Sequence, residues 1–453
     1  MSIFRAYDIR GTYGQDLTLD LAERIGRGFG SMMAEAGHGQ VIVGQDNRLS
    51  SPDLGVALMA GLCAAGVDVL DIGMVATPIV YHASVTQNNA PAIMITGSHL
   101  PPGQNGFKIT QGTQAFYGPE LQTLRHRVET GDFATGRGQH QSDSEAASRY
   151  VADLAGRFPP TSRPFKLVID AGNGMAGLFA PTLFKYLGHE LVELYCLPDG
   201  RYPNHPADPF EEENLHAAQA ALKTHGADLA LVFDGDVDRL GMIDAQGAPH
   251  PTDRLLIPLV WDVLKRHPRA PIVTDALVSQ VLLETIKALG GEPILWKSGH
   301  SNIKSKMQAV GAPLALETSG HVFIADGYYG YDDGIYTGLR MVELLSRPNT
   351  APLHEIMAAI PRLHTTPQYR PACPEAQKAP VIAAVAQHFR DDEVNTIDGL
   401  RVTLPDGWFI LRASNTEAKL SLRFEANSPA ALAAMLDEVG GILKSQGIVL
   451  EQK

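Results

Sequence analysis

Only three cysteines, Cys63, Cys196 and Cys373, are scattered through 453 residues, too few and too widely spaced for a disulfide framework or a thiolate metal site. They read as ordinary buried thiols in a protein of a reducing compartment. No apolar run reaches the ~18 residues that a membrane-spanning helix needs. The opening MSIFRAYDIRG places charges where a secretory leader requires its apolar segment, so a cytoplasmic protein is expected. Basic charge is also scarce: 50 acidic against 37 basic side chains give a formal net charge of −13, which excludes a general nucleic-acid or anionic-membrane surface. An anionic small molecule is not excluded, because a few Arg and Lys gathered in a cleft set the local field.

What remains is a globular composition, 44% hydrophobic and 19% charged, on a chain long enough for three or four domains. Chemistry concentrates first in AIMITGSHLPPGQNGFK, residues 92–108. Ala92–Ile95 predicts a buried strand, and Gly97, Pro101, Pro102, Gly103 and Gly106 predict the loop that ends it. Ser98 then stands at a strand's carboxyl end, where open α/β sheets bind ligands. With His99 and Lys108, one loop offers a nucleophile, a proton carrier and a cation. The plainer reading is a glycine-rich turn whose serine caps a helix.

A second concentration is DGDVDRLG, after a predicted strand Asp228–Phe233. Asp234, Asp236 and Asp238 alternate, so an extended loop turns their carboxylates to one side, and three crowded carboxylates call for a hard divalent cation. A Ca²⁺-type structural loop or a solvated turn is the alternative. An EF-hand does not fit, since the stretch runs on into Leu240, Gly241 and Ile243. β-Branched Val237 is expected at negative φ.

In chain order, Phe4–Gly11 is strand-like and carries Arg5 and Arg10, and Val41–Gly44 is a strand. Ser51 is expected as a helix N-cap with Pro52 at the first helical position. A strand Val67–Ile72 and a helix after Pro78 lead to the Ser98 strand. The polar segment GDFATGRGQHQSDSE reads as an exposed linker. Lys166–Asp170 and Glu190–Tyr195 form a βαβ unit in which Gly172 and Gly174 mark a structural turn, because they match neither the dinucleotide nor the P-loop pattern. A helix Glu212–Thr224 precedes the aspartate loop. Strands Ile272–Asp275, Glu292–Lys297 and Leu314–Leu316 alternate with helices Val278–Leu289 and Ile303–Val310, and the last strand ends in ETSGH. Pro367, Pro371, Pro374 and Pro380 mark a linker. Strands Arg401–Leu404 and Trp408–Arg412 flank the turn signal PDG, and Leu420–Glu425 and a helix Pro429–Lys444 follow. Between those strands RASNTE presents Arg412, Ser414, Asn415 and Thr416, donors able to cradle a phosphate dianion.

TGSHLPPGQNGFK resembles the phosphoserine loop of the α-D-phosphohexomutases, the family of phosphomannomutase/phosphoglucomutase and phosphoglucosamine mutase. DGDVDR resembles that family's metal loop, ETSGH its sugar-recognition loop and RASNTE its phosphate loop, in the family's order and across nearly the whole chain. ETSGH and RASNTE look more like the phosphomannomutase/phosphoglucomutase branch. The resemblance implies an α/β protein: three similar mixed α/β domains around a central cleft, residues 1–141, 142–248 and 249–362, plus a smaller C-terminal α+β domain, 363–453. It makes Ser98 the phosphoryl carrier and gives Mg²⁺ to Ser98, Asp234, Asp236 and Asp238. His99, Lys108 and His321 become candidate proton carriers. Tyr7, Arg10, Arg239, His300, Glu317, Ser319, Arg412, Ser414, Asn415, Thr416 and Arg423 become candidate substrate contacts. Lys304, in WKSGHSNIK, and YDDGIY from Tyr331 fall in similar segments. The commonest family pattern has Asn at Leu100, and TDALVSQ at Thr274 lacks a lysine that related mutases often carry.

The implied chemistry interconverts a hexose 1-phosphate and 6-phosphate, of mannose or glucose, through phosphoserine and a hexose 1,6-bisphosphate. The expected partner is a small phosphosugar, with no nucleic acid or membrane, and the chain is expected to be monomeric. The rival readings are a phosphoglucosamine mutase, a non-catalytic phosphosugar-binding protein and a phosphatase. Intact Ser98 and three aspartates weigh against a pure binder, and a second phosphate loop weighs against simple hydrolysis.

Overall fold

Short apolar runs such as VIV at 41–43, AIMI at 92–95 and LALVF at 229–233 suit strands covered on both faces, which the parallel parts of α/β sheets require. The computed structural model describes all residues except 1–2, 6, 162, 415–417 and 451–453. Its first three sheets repeat one plan. In each, a central strand (Gln40–Gln45, Lys166–Asp170, Pro271–Asp275) pairs in parallel with the next strand (Asp68–Met74, Glu190–Leu194, Glu292–Trp296) on one side. On its other side it pairs in parallel with a third strand (Pro91–Ile95, Leu229–Phe233, Leu314–Leu316). That third strand is followed by an antiparallel fourth (Gln104–Gln111, Leu240–Asp244, Val322–Ile324). The strand order reverses beside the central strand, and the loop leaving the third strand is the chemical loop in all three sheets: TGSH, DGDVDR and ETSGH.

The first sheet gains Ile9–Thr12 and His140–Ser142 at its edges. One continuous apolar cluster runs through the first three units, from Ile42 and Met94 through Leu167 and Leu231 to Leu282 and Leu314. The fourth sheet is wholly antiparallel, in the order His364–Thr365, Leu420–Ala426, Gly407–Ala413, Leu400–Leu404, Glu393–Asn395. Its strands alternate. Val402, Phe409, Leu411, Leu422 and Phe424 join a separate core with Val385, Val439 and Leu443 of the helices Glu375–His388 and Pro429–Ser445. Trp408 and Ile410 face the other way and pack on Ala276 of the third unit.

Several expectations need correction. Phe4–Gly11 is not one strand: Phe4 folds back to bridge Ile9, and pairing starts at Ile9. Ser50, not Ser51, precedes the helix Ser51–Ala64; Ser51 lies within it and donates through Oγ to Asp46 instead. The polar stretch after Phe116 contains a helix, Pro119–Thr130, and the supposed linker returns along the sheet edge as His140–Ser142, with Gly136 and Gly138 donating to Ala64 and Cys63 carbonyls. The proline-rich segment is no free linker either, since Tyr369 and Ala372 bridge to the C-terminal sheet and Pro380 lies inside a helix. Of the cysteines only Cys373 is buried; all three are free.

Candidate active site

The serine loop is built around a buried arginine. Arg48, 1% exposed, donates to the carbonyls of Ser98 (2.7 Å), Leu100 (2.7 Å), Pro101 (2.8 Å) and Gln104 (2.9 Å), and its Nε lies 3.2 Å from Asp46. A tight loop cannot pair these carbonyls internally, and an unpaired buried carbonyl is costly, so one guanidinium with five donors fixes the whole loop. Gly97 is required here, because a Cβ would stand 2.5 Å from the Arg48 Cζ. The loop holds Leu100 by its backbone, so the side chain that replaces Asn takes no part in this anchoring. Ser98 sits at φ 50°, with its N–H donated to Thr96 Oγ1 (2.8 Å). Its Oγ donates to Asp234 (2.9 Å) and lies 3.2 Å from His99 Nδ1. Burial, with Arg239 and Arg10 adding to it, pushes the His99 imidazole down to about 2, so the ring is neutral.

Asp234, Asp236 and Asp238 are fully buried, and one oxygen from each lies within 4.8 Å of the others. Lys108 projects among them, its Nζ 2.6 Å from Asp236 and also bonded to Asp238. It does so from the antiparallel strand Gln104–Gln111 rather than from the serine loop. Thr77 donates through Oγ1 to Asp236 (2.6 Å) and through its N–H to the Asp236 carbonyl. Burial pushes Asp234 up to about 7; burial and then Asp236 push Asp238 up to about 6. Burial also opposes ionisation of Asp236, but the Lys108 ammonium outweighs it and holds that carboxyl below its usual range. Asp236 Oδ1 and Asp238 Oδ1 are buried without a hydrogen-bond partner. Buried oxygen donors with unpaired acceptor atoms fit a hard divalent cation.

Val237 overturns its expectation, with φ at 73°. The turn that converges the carboxylates is fixed from within and from outside: the Val237 N–H meets the Asp234 carbonyl (3.3 Å), and Gly334 N–H meets the Val237 carbonyl (2.9 Å). Backbone strain of ~1–3 kcal/mol is offset by the ~1.5–3 kcal/mol gained from burying a valine side chain completely.

Arg239 donates through Nε to Asp234 (2.9 Å), lies over Phe210, and pairs in a backbone bridge with His321. His321 Nδ1 is 3.0 Å from Asp332 and 3.7 Å from Asp238, and its ring stacks on His300 at 5.4 Å. Asp332 is held ionised well below its usual range, because Lys304 and His321 outweigh burial. Neither ring nitrogen of His300 has a hydrogen-bond partner, and burial drives that imidazole well down. Glu317, 4% exposed and raised by burial, accepts the Gly299 N–H, whereas Ser319 is exposed. Tyr7 donates to the Ser298 carbonyl (3.1 Å), and Arg10 pairs with Asp8.

The C-terminal sheet meets these loops on the face that carries Trp408 and Ile410. Arg412 Nη2 lies 3.1 Å from Asp398, Arg423 Nη1 donates to the Leu277 carbonyl (3.1 Å), and the Lys378 ammonium donates to the Ser414 carbonyl (2.6 Å). Leu277 lies in the segment that lacks the lysine, and both Arg423 and Arg401 reach that segment through its backbone carbonyls. Asn415 and Thr416 lie outside the described residues.

Four models of the phosphoglucomutase/phosphomannomutase family match this chain in order: alpha/beta/alpha domain I over residues 1–135, domain II over 148–247, domain III over 251–363 and the C-terminal domain over 370–441. This chain belongs to that family. Among its relatives, a phosphomannomutase/phosphoglucomutase of Pseudomonas aeruginosa is 42% identical over 94% of this chain and 92% of that protein. A phosphoglucomutase of Neisseria meningitidis is 41% identical over 98% of this chain and 97% of that protein. The crystal structure of a phosphoglucomutase/phosphomannomutase family protein from Burkholderia thailandensis superposes with a TM-score of 0.92, 43% identity and coverage of 98% of this chain and 97% of that one.

The motifs that identify a phosphohexomutase leave several supporting residues unnamed. Arg48, Thr77, Asp275, Asp332 and Asp398 all bind residues of those motifs, and Asp275 does so by accepting Thr318 N–H and Oγ–H. Asp332 alone had a signal, the segment YDDGIY. The others act across 14 to 159 residues of chain, and single positions carry no trace of that.

Proposed function

We propose that the chain interconverts hexose 1-phosphates and 6-phosphates of glucose and mannose through phosphorylated Ser98 and a bound hexose 1,6-bisphosphate. The observation that carries this is the 2.9 Å contact of Ser98 Oγ with a buried carboxylate triad two sheets away from the Arg412 loop, which gives a phosphoryl carrier and a separate anion anchor in one site. Asp234, Asp236, Asp238 and the phosphorylated Ser98 would hold Mg²⁺, which supplies charge neutralisation for the transferring phosphoryl group. Arg48 holds the serine in line, Glu317 and Ser319 take sugar hydroxyls, and Arg239, Arg10 and Lys108 supply positive charge around the reacting phosphate. His300 and Tyr7 line the path between the two ends. His321, backed by Asp332, exchanges the proton of the sugar hydroxyl, and neutral His99 faces the Ser98 oxygen through Nδ1. Arg412, Ser414, Asn415 and Thr416, with Arg423 behind, hold the phosphate that is not reacting.

The direct test is turnover of glucose, mannose and glucosamine 1-phosphates side by side, with glucose 1,6-bisphosphate and Mg²⁺ present. Glucose and mannose are expected to turn over well, and a preference for glucosamine would reassign the branch. Arg412→Ala is expected to lower kcat/KM in both directions. A charge-assisted contact contributes ~1.5–3 kcal/mol, or roughly 10- to 150-fold. A loss confined to one direction would mean that the two phosphate positions do not share this anchor.

A further inference from the structure

The segment Ser298–Gly299 is gripped from three sides. Tyr7, from the first unit, donates its hydroxyl to the Ser298 carbonyl. Glu317, from the sugar loop, accepts the Gly299 N–H. The third grip comes from the C-terminal domain, where Asp398 Oδ2 accepts both the Ser298 N–H (3.0 Å) and the Ser298 Oγ–H (2.7 Å). The same carboxylate meets Arg412 Nη2 at 3.1 Å. Asp398 lies between the strands Glu393–Asn395 and Leu400–Leu404, followed by Gly399 at φ 93°. A Cβ on Gly399 would stand 2.6 Å from the Leu411 carbonyl and 2.8 Å from the Arg412 Cγ, so glycine lets this turn press against the arginine. Gly299, at φ 114°, does the same for Tyr7, whose ring would be 2.7 Å from an added Cβ.

A carboxylate beside an anion-binding arginine repels the anion unless its own charge is spent elsewhere. Here three donors from two domains converge on it, so its role is geometric. A free arginine side chain loses ~2 kcal/mol of rotamer freedom when it is fixed on a ligand, and an ion pair that fixes one corner beforehand reduces that loss.

We propose that Asp398 is a positioning residue that sets Arg412 and the Ser298–Gly299–Glu317 loop in one register, so that the sugar and the distant phosphate of a hexose phosphate are bound as a unit. This rests on the function proposed above for those two loops. It makes binding of one end of the ligand depend on the domain that holds the other.

The test is a double-mutant cycle read by calorimetric binding of glucose 6-phosphate to the full-length protein. Asp398→Asn keeps an oxygen acceptor for Ser298 but removes the charge that holds Arg412. It is expected to weaken binding by roughly 10-fold or more. In an Arg412→Ala background the same change should weaken binding by less than about 3-fold, because the residue it acts through is gone. Ser298→Ala approaches the link from the other side, and its smaller loss should vanish once Asp398 is Asn. In turnover, Asp398→Asn should raise KM and leave kcat within about 3-fold. Losses that multiply independently in either double variant, or a fall in kcat at constant KM, would overturn the proposal. So would a wild type with no affinity for the sugar phosphate. Wild-type turnover decides the mutase reading separately, since the coupling is read from binding alone.

Discussion

Ser98→Ala is expected to abolish turnover while the fold persists, with kcat falling by roughly 10⁵- to 10⁶-fold, as when a covalent nucleophile is removed. Nothing nearby can replace the hydroxyl. His99 is a neutral ring pushed down to about 2 by burial and two arginines, and Lys108 is tied to Asp236 and Asp238. The loop itself should survive, because Arg48 holds it by backbone carbonyls and the Ser98 N–H donates to Thr96. The Oγ contacts with Asp234 and His99 are lost. Mutase activity with glucose 1-phosphate, transfer of phosphate from labelled glucose 1,6-bisphosphate to the protein, and circular dichroism together check this. Variant activity within tenfold of wild type would remove Ser98 from the carrier role.

The second large effect concerns the cation. Exhaustive chelation is expected to suppress turnover by roughly 10³-fold or more, because a metal contributes several kcal/mol of charge stabilisation at a transferring phosphoryl group. Added Mg²⁺ should restore the rate. Secondary structure and melting temperature should change little, since Lys108 and Arg239 already counter the three carboxylates from within. Full activity in excess chelator after dialysis would disprove the metal site. Lys108→Ala separates the two roles of the site: without that ammonium the triad should depend on added Mg²⁺ for its stability.

How far the sequence reaches is clear from where it succeeds. Strands buried on both faces leave uninterrupted apolar runs, so Lys166–Asp170 and Leu314–Leu316 are legible to the residue. The loops that leave third strands were legible through their reactive residues. Gln104–Gln111 was not, because QNGFKITQ mixes a glycine with polar residues, and its identity as a strand comes from pairing with Pro91–Ile95. Sequence alone therefore puts Lys108 in the loop, although its position on a strand is what carries it between two aspartates. Local preference also misled at Val237, where hydrogen bonds from the loop and from Gly334 override a β-branched residue's aversion to positive φ. Arg48 and Asp398 stayed hidden because nothing within ten residues of either marks it as a partner of Ser98 or Arg412.

The outward face of the C-terminal sheet has an optical consequence. Trp408, one of three tryptophans, is wholly buried, with the Arg401 guanidinium 3.6 Å from its ring centroid and its indole N–H donated to Glu425 at 2.7 Å. Arg401 in turn donates to the carbonyls of Ala276 and Val278, and Glu425 accepts Ser279 Oγ–H and Gln280 N–H. These last four links cross from the C-terminal domain to the third unit. Separation of the two would wet this indole, whereas Trp261 and Trp296 belong to the third unit and would keep their surroundings. With those two replaced by phenylalanine, the emission maximum of Trp408 becomes a built-in gauge of docking: red-shifted when the domain stands away, and moving to the blue as a hexose phosphate is titrated in.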